Sequence, residues 1–243
     1  MHDPASGPSL TRRQFIGKNI LVAASAIGAP TLAAGLALAD SPTTNPSGAL
    51  PESALESLMF EHGLIERLLL IYDKSAAMLD QGRQLPAGLL ADAGDLIQKF
   101  IHDYHEKLEE EHLFPRFVTA HREGDLLDTL KAQHNAGREL TKQIKRLTQG
   151  ATDGAAHDGK QLAQLLRSAG TMYFPHCARE NAILFPAVLD LVLEYEYKRL
   201  ADVFGELRTK AIGDKGRKKI SDQIAQLEER LGIGDLAEFT AKA

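Results

Sequence analysis

The chain has 243 residues, 44% of them hydrophobic and 25% charged, which supplies the core of one or two globular domains and excludes a disordered polypeptide. Its net charge of −5 argues against nucleic acid or an anionic membrane surface as a partner, since both reward basic patches. One cysteine, Cys177, rules out an internal disulfide, and a chain without tryptophan, dominated by Ala, Leu, Glu, Lys and Gln from residue 53 onward, favours helices.

Residues 1–39 stand apart. Thr11-Arg12-Arg13-Gln14-Phe15-Ile16-Gly17-Lys18 precedes an Ala- and Gly-rich apolar run that ends in Ala37-Leu38-Ala39. This is the pattern of a signal peptide, and the arginine pair followed by Phe-Ile and Lys resembles a twin-arginine export signal. Ala37 and Ala39 offer small residues for cleavage before Asp40. The alternative is an uncleaved membrane anchor, but Pro30 and the glycines within the run favour cleavage, so the mature protein is expected in the periplasm and free of the membrane. The segment holds Arg12, Arg13 and Lys18 against Asp3 alone, so its removal leaves a net charge of −7. Residues 40–52, with Pro42, Pro46 and Pro51, read as a tether.

Four long helices are expected next. The first runs from about Ser53 to Leu79, with Leu55, Leu58, Met59, Ile65, Leu69 and Tyr72 at helical spacing. The second, from about Ala87 to Val118, follows the breaker Gln84-Leu85-Pro86. The third runs from about Asp125 to Leu147 and ends in a Gly-rich loop, and the fourth spans about Lys160 to Leu184. Such lengths with short polar connections predict an all-α fold, an up-down-up-down four-helix bundle over residues 53–190. Residues 191–243 form a C-terminal extension, with additional helices from about Leu189 to Lys210 and from Lys215 to Leu231.

The second and fourth helices carry one pattern. Residues 105–115, HEKLEEEHLFP, match residues 176–186, HCARENAILFP, register for register: H-x3-E-x3-L-F-P. Residues four apart on a helix differ by about 40° around the axis, so His105 with Glu109, and His176 with Glu180, each form a two-toothed clamp. Ile97, Ile101 and Leu108 place the first clamp on an apolar face and leave Glu106, Lys107, Glu110 and Glu111 toward water. Leu165, Ala169, Met172, Tyr173, Ile183 and Leu184 do the same for the second. A buried carboxylate needs a cation or proton donor opposite it. His62, among Leu58, Met59, Ile65 and Leu69, and His134, following Leu127 and Leu130, add one inward imidazole from each remaining helix. Four imidazoles and two carboxylates converging in a bundle core predict a metal site, and the mixed nitrogen and oxygen donors suit two iron ions. His102, His112 and His121 are expected at the surface, His157 sits in a loop, and Cys177 reads as a small buried hydrophobe.

These stretches, EHGLI with His62, YHEKLEEEHLFP, QHNAGREL with His134 and HCARENAILFP, together resemble the hemerythrin-like, or HHE cation-binding, family over about residues 53–190. The resemblance implies a non-haem di-iron centre with bridging carboxylates in a four-helix bundle. Two departures bear on function. Oxygen-carrying hemerythrins have H-x3-H on the third helix, where this chain has Arg138 four residues after His134. They also have His-x4-Asp on the fourth helix, where this chain has Glu180 at the fourth place and Asn181 at the fifth. Reversible oxygen carriage is therefore not the expectation. The reading is a periplasmic protein that senses, stores or scavenges iron or a small diatomic ligand or peroxide. The alternatives are a di-iron oxidase or peroxidase, with Tyr104 or Tyr173 as a relay, and a structural bundle carrying zinc or manganese. The sequence names no protein partner.

Overall fold

Ser53 starts the first helix with a reciprocal cap: its hydroxyl accepts from the Glu56 N–H at 3.2 Å, and the Glu56 carboxylate accepts from the Ser53 N–H at 2.9 Å. The structure is a computed structural model that describes residues 52–148 and 158–241. The expected export signal, nearly all of the tether and His157 lie outside the described residues. Helix α1, Ala54–Asp80, buries Leu58, Ile65, Leu68, Leu69 and Tyr72. Met59, expected on that face, is exposed, because it lies about 100° around the helix from Leu58.

Helix α2 is continuous but changes pitch along its length. It is α-helical over Leu89–Leu96, π-helical over Ile97–His105, α-helical over Glu106–Leu108, π-helical over Glu109–Leu113 and α-helical again over Phe114–Thr119. Helix α3 is Gly124–Thr148. Helix α4 is capped by Asp158, runs α-helically over Gly159–Arg179, widens to π over Glu180–Leu184 and ends with Phe185–Val188. The two wide turns fall at the same place in the repeated motif. Pro115 and Pro186 lack an N–H and would press their rings on the carbonyl four residues back. Immediately before each, the ladder opens: the Phe114 N–H reaches the Glu109 carbonyl and the Phe185 N–H that of Glu180, five residues back.

Cross-helix pairs fix the directions. Asp95 meets Lys145, His102 meets Thr141 and Glu110 meets His134, so α2 and α3 run antiparallel. His134 against His176, with Gly137 against Tyr173, makes α4 antiparallel to α3. Asp80 pairs with Arg167 and His62 with Asn181, which returns α4 to α1. The result is an up-down-up-down bundle, all-α among the described residues.

Helices α5, Glu194–Ile212, and α6, Gly216–Leu231, lie along α1 and α2. Ile220, Ile224, Leu227 and Leu231 form the buried stripe of α6. Arg67 clasps Glu228 and Arg230 clasps Asp92 at the edges of that contact. No described helix is long and apolar enough to cross a membrane.

Candidate metal centre

The two clamps meet inside the bundle with the two lone histidines. On α2 the His105 Nε2 lies 3.6 Å from Glu109 Oε1, and on α4 the His176 Nε2 lies 3.2 Å from Glu180 Oε2. His62 brings its Nε2 to 3.3 Å from Glu180 Oε2 and 3.9 Å from Glu109 Oε1. His134 brings its Nε2 to 3.5 Å from Glu109 Oε2 and 3.2 Å from His176 Nε2. The imidazoles therefore fall into pairs, His62 with His105 and His134 with His176, each with ring centres 5.0 Å apart. Both carboxylates stand between the pairs.

The Leu-Phe-Pro ends of the motif hold the opposite half of the centre. Phe185, from the α4 motif, stacks on His62 at 5.3 Å, and Phe114, from the α2 motif, stacks on His134 at 5.7 Å. Both rings are fully buried, so each locks an imidazole that its own helix does not carry.

Every histidine of the centre has its second nitrogen engaged. His105 Nδ1 faces Glu61 Oε2 at 3.0 Å, and His134 Nδ1 faces Glu110 Oε1 at 2.8 Å. His62 Nδ1 faces Asn181 Oδ1 at 2.8 Å, and His176 Nδ1 faces Gln133 Oε1 at 2.9 Å. Each pair thus has one imidazole on a carboxylate and one on a neutral amide. All four partners accept, so Nδ1 carries the hydrogen and Nε2 turns its lone pair inward. An arginine stands behind each carboxylate: Arg217 Nη2 donates to Glu61 Oε1 at 3.0 Å, and Arg138 Nη2 to Glu110 Oε1 at 2.8 Å.

A cation fits what remains. His62 Nε2 and all four carboxylate oxygens of Glu109 and Glu180 are buried without a hydrogen-bond partner. Donor atoms of His62, His105 and Glu109 lie within 4.8 Å of one another, as do those of Glu109, His134, His176 and Glu180. Glu109 belongs to both sets. Without a cation the two acids cannot share the charge. Burial and the neighbouring Glu180 push the Glu109 carboxyl well above its ordinary range. Burial acts the same way on Glu180, but the adjacent His176 and His62 imidazoles, 3.2 and 3.3 Å away, outweigh it and hold that carboxyl low. One proton between two facing carboxylates is the expected electrostatics of a site that a metal ion would neutralise.

A third cluster, Glu106, Glu110 and His134, already has its cation. Arg138 Nη2 lies 2.9 Å from Glu106 Oε2, although its N–H is not aimed along that line, and 2.8 Å from Glu110 Oε1. The other Glu106 oxygen accepts from the Tyr173 hydroxyl at 2.7 Å and faces His102 Nδ1 at 3.1 Å, while His102 Nε2 meets the Thr141 hydroxyl at 2.8 Å.

All six residues singled out by the sequence, His62, His105, Glu109, His134, His176 and Glu180, are brought together here and buried. Other expectations need correction. Glu106, expected toward water, is buried, and Glu110 is half-buried on His134. His102, expected at the surface, is buried on Thr141 and Glu106; His112 is half-buried with its ring edge on Phe204. His121 is exposed, as expected, and Cys177 is buried. Ile183, expected inside, is exposed. The outer partners Glu61, Gln133, Asn181 and Arg217 were not singled out for this role. Glu61 had one available signal, being an acid immediately before His62 in the mostly apolar stretch 58–65.

The hemerythrin HHE cation-binding domain matches residues 53–188. Uncharacterised proteins of Mycobacterium bovis and of two strains of Mycobacterium tuberculosis are each 37% identical over 201 residues, covering 82% of this chain and 78% of theirs. No solved structure matches the chain significantly. The family match and the buried His and Glu clusters agree, and the chain belongs to the hemerythrin family, whose HHE domain binds metal cations.

Proposed function

We propose that the domain holds two iron ions and uses them to sense, store or scavenge iron or a small oxidant, namely dioxygen, nitric oxide or peroxide. The observation that carries this reading is the placement of Glu109 and Glu180. Both are fully buried and lack hydrogen-bond partners, and both lie between two pairs of inward imidazole nitrogens. His62 and His105 would hold one ion and His134 and His176 the other, with the two glutamates shared. Imidazole with carboxylate is a donor set suited to iron, and zinc or manganese are the competitors. When bound, ferrous ions supply electrons and a coordination position for the oxidant.

The protein's own residues shape what such a centre can do. Glu61 and Glu110 draw on the Nδ1 hydrogens of His105 and His134, which makes those imidazoles stronger donors at Nε2. Two carboxylates facing four neutral imidazoles favour the more highly charged, oxidised metal over a reversible carrier's reduced one. Arg138, at the place where the oxygen carriers have a second histidine, is tied to Glu106 and Glu110 rather than to Glu109 or Glu180. Phe114 and Phe185 exclude water from one side of each imidazole pair.

A second reading, an oxidase or peroxidase, draws support from Tyr173. Its ring stands edge-on to His176, with ring centres 5.6 Å apart, and its hydroxyl donates to Glu106, so an electron donor and a proton acceptor adjoin the centre. Residues 1–39 support export to the periplasm, by a route suited to a domain that folds around its metal before crossing the membrane. Metal analysis of protein taken from its own compartment should give two irons per chain, and adding azide or oxygen to the reduced form should produce a near-ultraviolet or visible charge-transfer band. Zinc alone would end the redox readings, and steady turnover of peroxide with a donor would favour the enzyme.

A further inference from the structure

Residues 53–188 supply an arginine for Glu110 but none for Glu61. Glu61 is completely buried in α1, one residue before His62. Its Oε2 faces His105 Nδ1 at 3.0 Å, and its Oε1 accepts from the Tyr104 hydroxyl at 2.8 Å. The positive charge opposite it comes from α6: Arg217 Nη2 and Nε lie 3.0 and 3.3 Å from Oε1. Arg217 is held in turn by Glu52 at 2.6 and 2.7 Å, by the Ser57 carbonyl at 3.1 Å and by the Ser57 hydroxyl. Its guanidinium also lies over the Phe60 ring, 5.0 Å from the centroid.

We propose that Arg217 is a positioning residue of the metal centre, acting through Glu61 to orient His105, so that helix α6 completes a site the four-helix bundle alone leaves unfinished. The inference rests on the reading of His105 as a metal ligand. The chain of contacts runs from cation to carboxylate to imidazole, and each link sets the next. Arg217 fixes Glu61 by a two-nitrogen grip on one oxygen, leaving the other free to accept from His105. That hydrogen bond selects the tautomer with its lone pair on Nε2 and fixes the plane of the ring. Docking of α6 does not need Arg217, because Ile220, Ile224 and Leu227 bury its apolar stripe and Arg67 grips Glu228. Arg217 is the α6 side chain that contacts a residue touching the clamps. The two halves of the centre also become equivalent in this reading: His105, Glu61 and Arg217 repeat the order His134, Glu110 and Arg138.

The test uses the full chain with cobalt(II), whose visible bands report the ligand field at each ion. Wild type should take up two cobalt ions. Arg217→Gln should bind one of them roughly 10–100-fold more weakly, with a changed band for that ion, and Arg217→Lys should recover part of the loss. Arg208→Ala cuts the tie from α5 to Glu52 and Ser57 without touching Glu61, and should behave as wild type. Equal affinity and spectrum for Arg217→Gln and wild type would overturn the proposal. So would an equal loss in Arg208→Ala, which would reduce the effect to helix docking. If Arg217→Gln does not fold, Glu61→Gln alone and combined with Arg217→Gln carry the test, since neither leaves a buried carboxylate unpaired at that position. Both should show the same weakened binding; a further loss in the double variant, or none in Glu61→Gln, overturns action through Glu61. Wild type that binds no cobalt and no iron would instead sink the metal-centre reading itself.

Discussion

Gly137 on α3 lies directly against the Tyr173 hydroxyl of α4, and a methyl group at that position would overlap the phenol oxygen. The missing Cβ lets the two helices approach closely enough for Tyr173 to donate to Glu106 at 2.7 Å. Gly137→Ala gains about 1 kcal/mol of helix propensity. Overpacking against the buried phenol costs about 1–3 kcal/mol, and the lost hydrogen bond adds about 1 kcal/mol. Net destabilisation is therefore expected, read as a lower urea midpoint with an unchanged slope. A higher midpoint would mean that α3 and α4 can separate without loss.

Removal of a clamp residue should remove metal. His105→Ala and Glu180→Ala are each expected to lose most of the bound ion and, with it, the stability that binding lends the fold. His157→Ala should keep both. The check is the ratio of metal to protein, measured beside the thermal midpoint; equal metal content in all three variants would show that the ligands lie elsewhere.

The metal-free protein should carry an unusual pH dependence. Glu109 holds its proton more tightly folded than unfolded, because burial and Glu180 raise its carboxyl. Its contribution to stability is then fully present below the unfolded value, about 4.3, and is lost as pH rises through the raised folded value. Glu180 runs the other way: His176 and His62 hold it low against burial, so its contribution is present above the unfolded value and lost as pH falls through the folded one. Denaturation of the metal-free form should show stability falling on the alkaline side of about pH 5, a slope that metal abolishes. Within that window loading must displace the Glu109 proton. Calorimetry in buffers of differing ionisation heat should detect the release, and no release would place the proton elsewhere.

Phe185 separates packing from positioning. Phe185→Ala should cost about 3–5 kcal/mol in the metal-free bundle, as expected for a fully buried ring. It should also weaken metal binding at the His62 half, since the ring stacks on that imidazole. Phe117, equally buried but with no stacking contact to a clamp histidine, is the comparison. Phe117→Ala should lose stability and keep the metal affinity of whatever fraction remains folded.

Four of the six central residues, His105, Glu109, His176 and Glu180, were legible because they recur at a register that a helix preserves, four apart within a motif and at matching places in two motifs. His62 and His134 were legible because each stands alone on the apolar face of a remaining helix. Glu106 was misread because the helix there is not straight. Across Ile97–His105 the ladder reaches five residues back, each residue turns through a smaller angle, and the face after it rotates inward. A uniform projection sends Glu106 to water, whereas the real turn sends it to Tyr173. Met59 and Ile183 failed for a simpler reason, being neighbours in sequence of residues at the edge of the apolar stripe. Arg217 could not be read from spacing at all. It meets Glu61 across 156 positions of chain, and only the seating of α6 on α1 brings them together.

The crossed stacking of Phe114 on His134 and Phe185 on His62 has a consequence for biogenesis. Neither helical hairpin stacks a ring on its own lone histidine, His62 or His134; each depends on a ring delivered by the other, and the second ring arrives only when α4 has been made. The full donor set, with Glu180 facing Glu109 and His62 seated under Phe185, is therefore complete only once α4 has packed against the first hairpin. Tight metal binding is accordingly expected to follow the packing of α4 rather than to precede it.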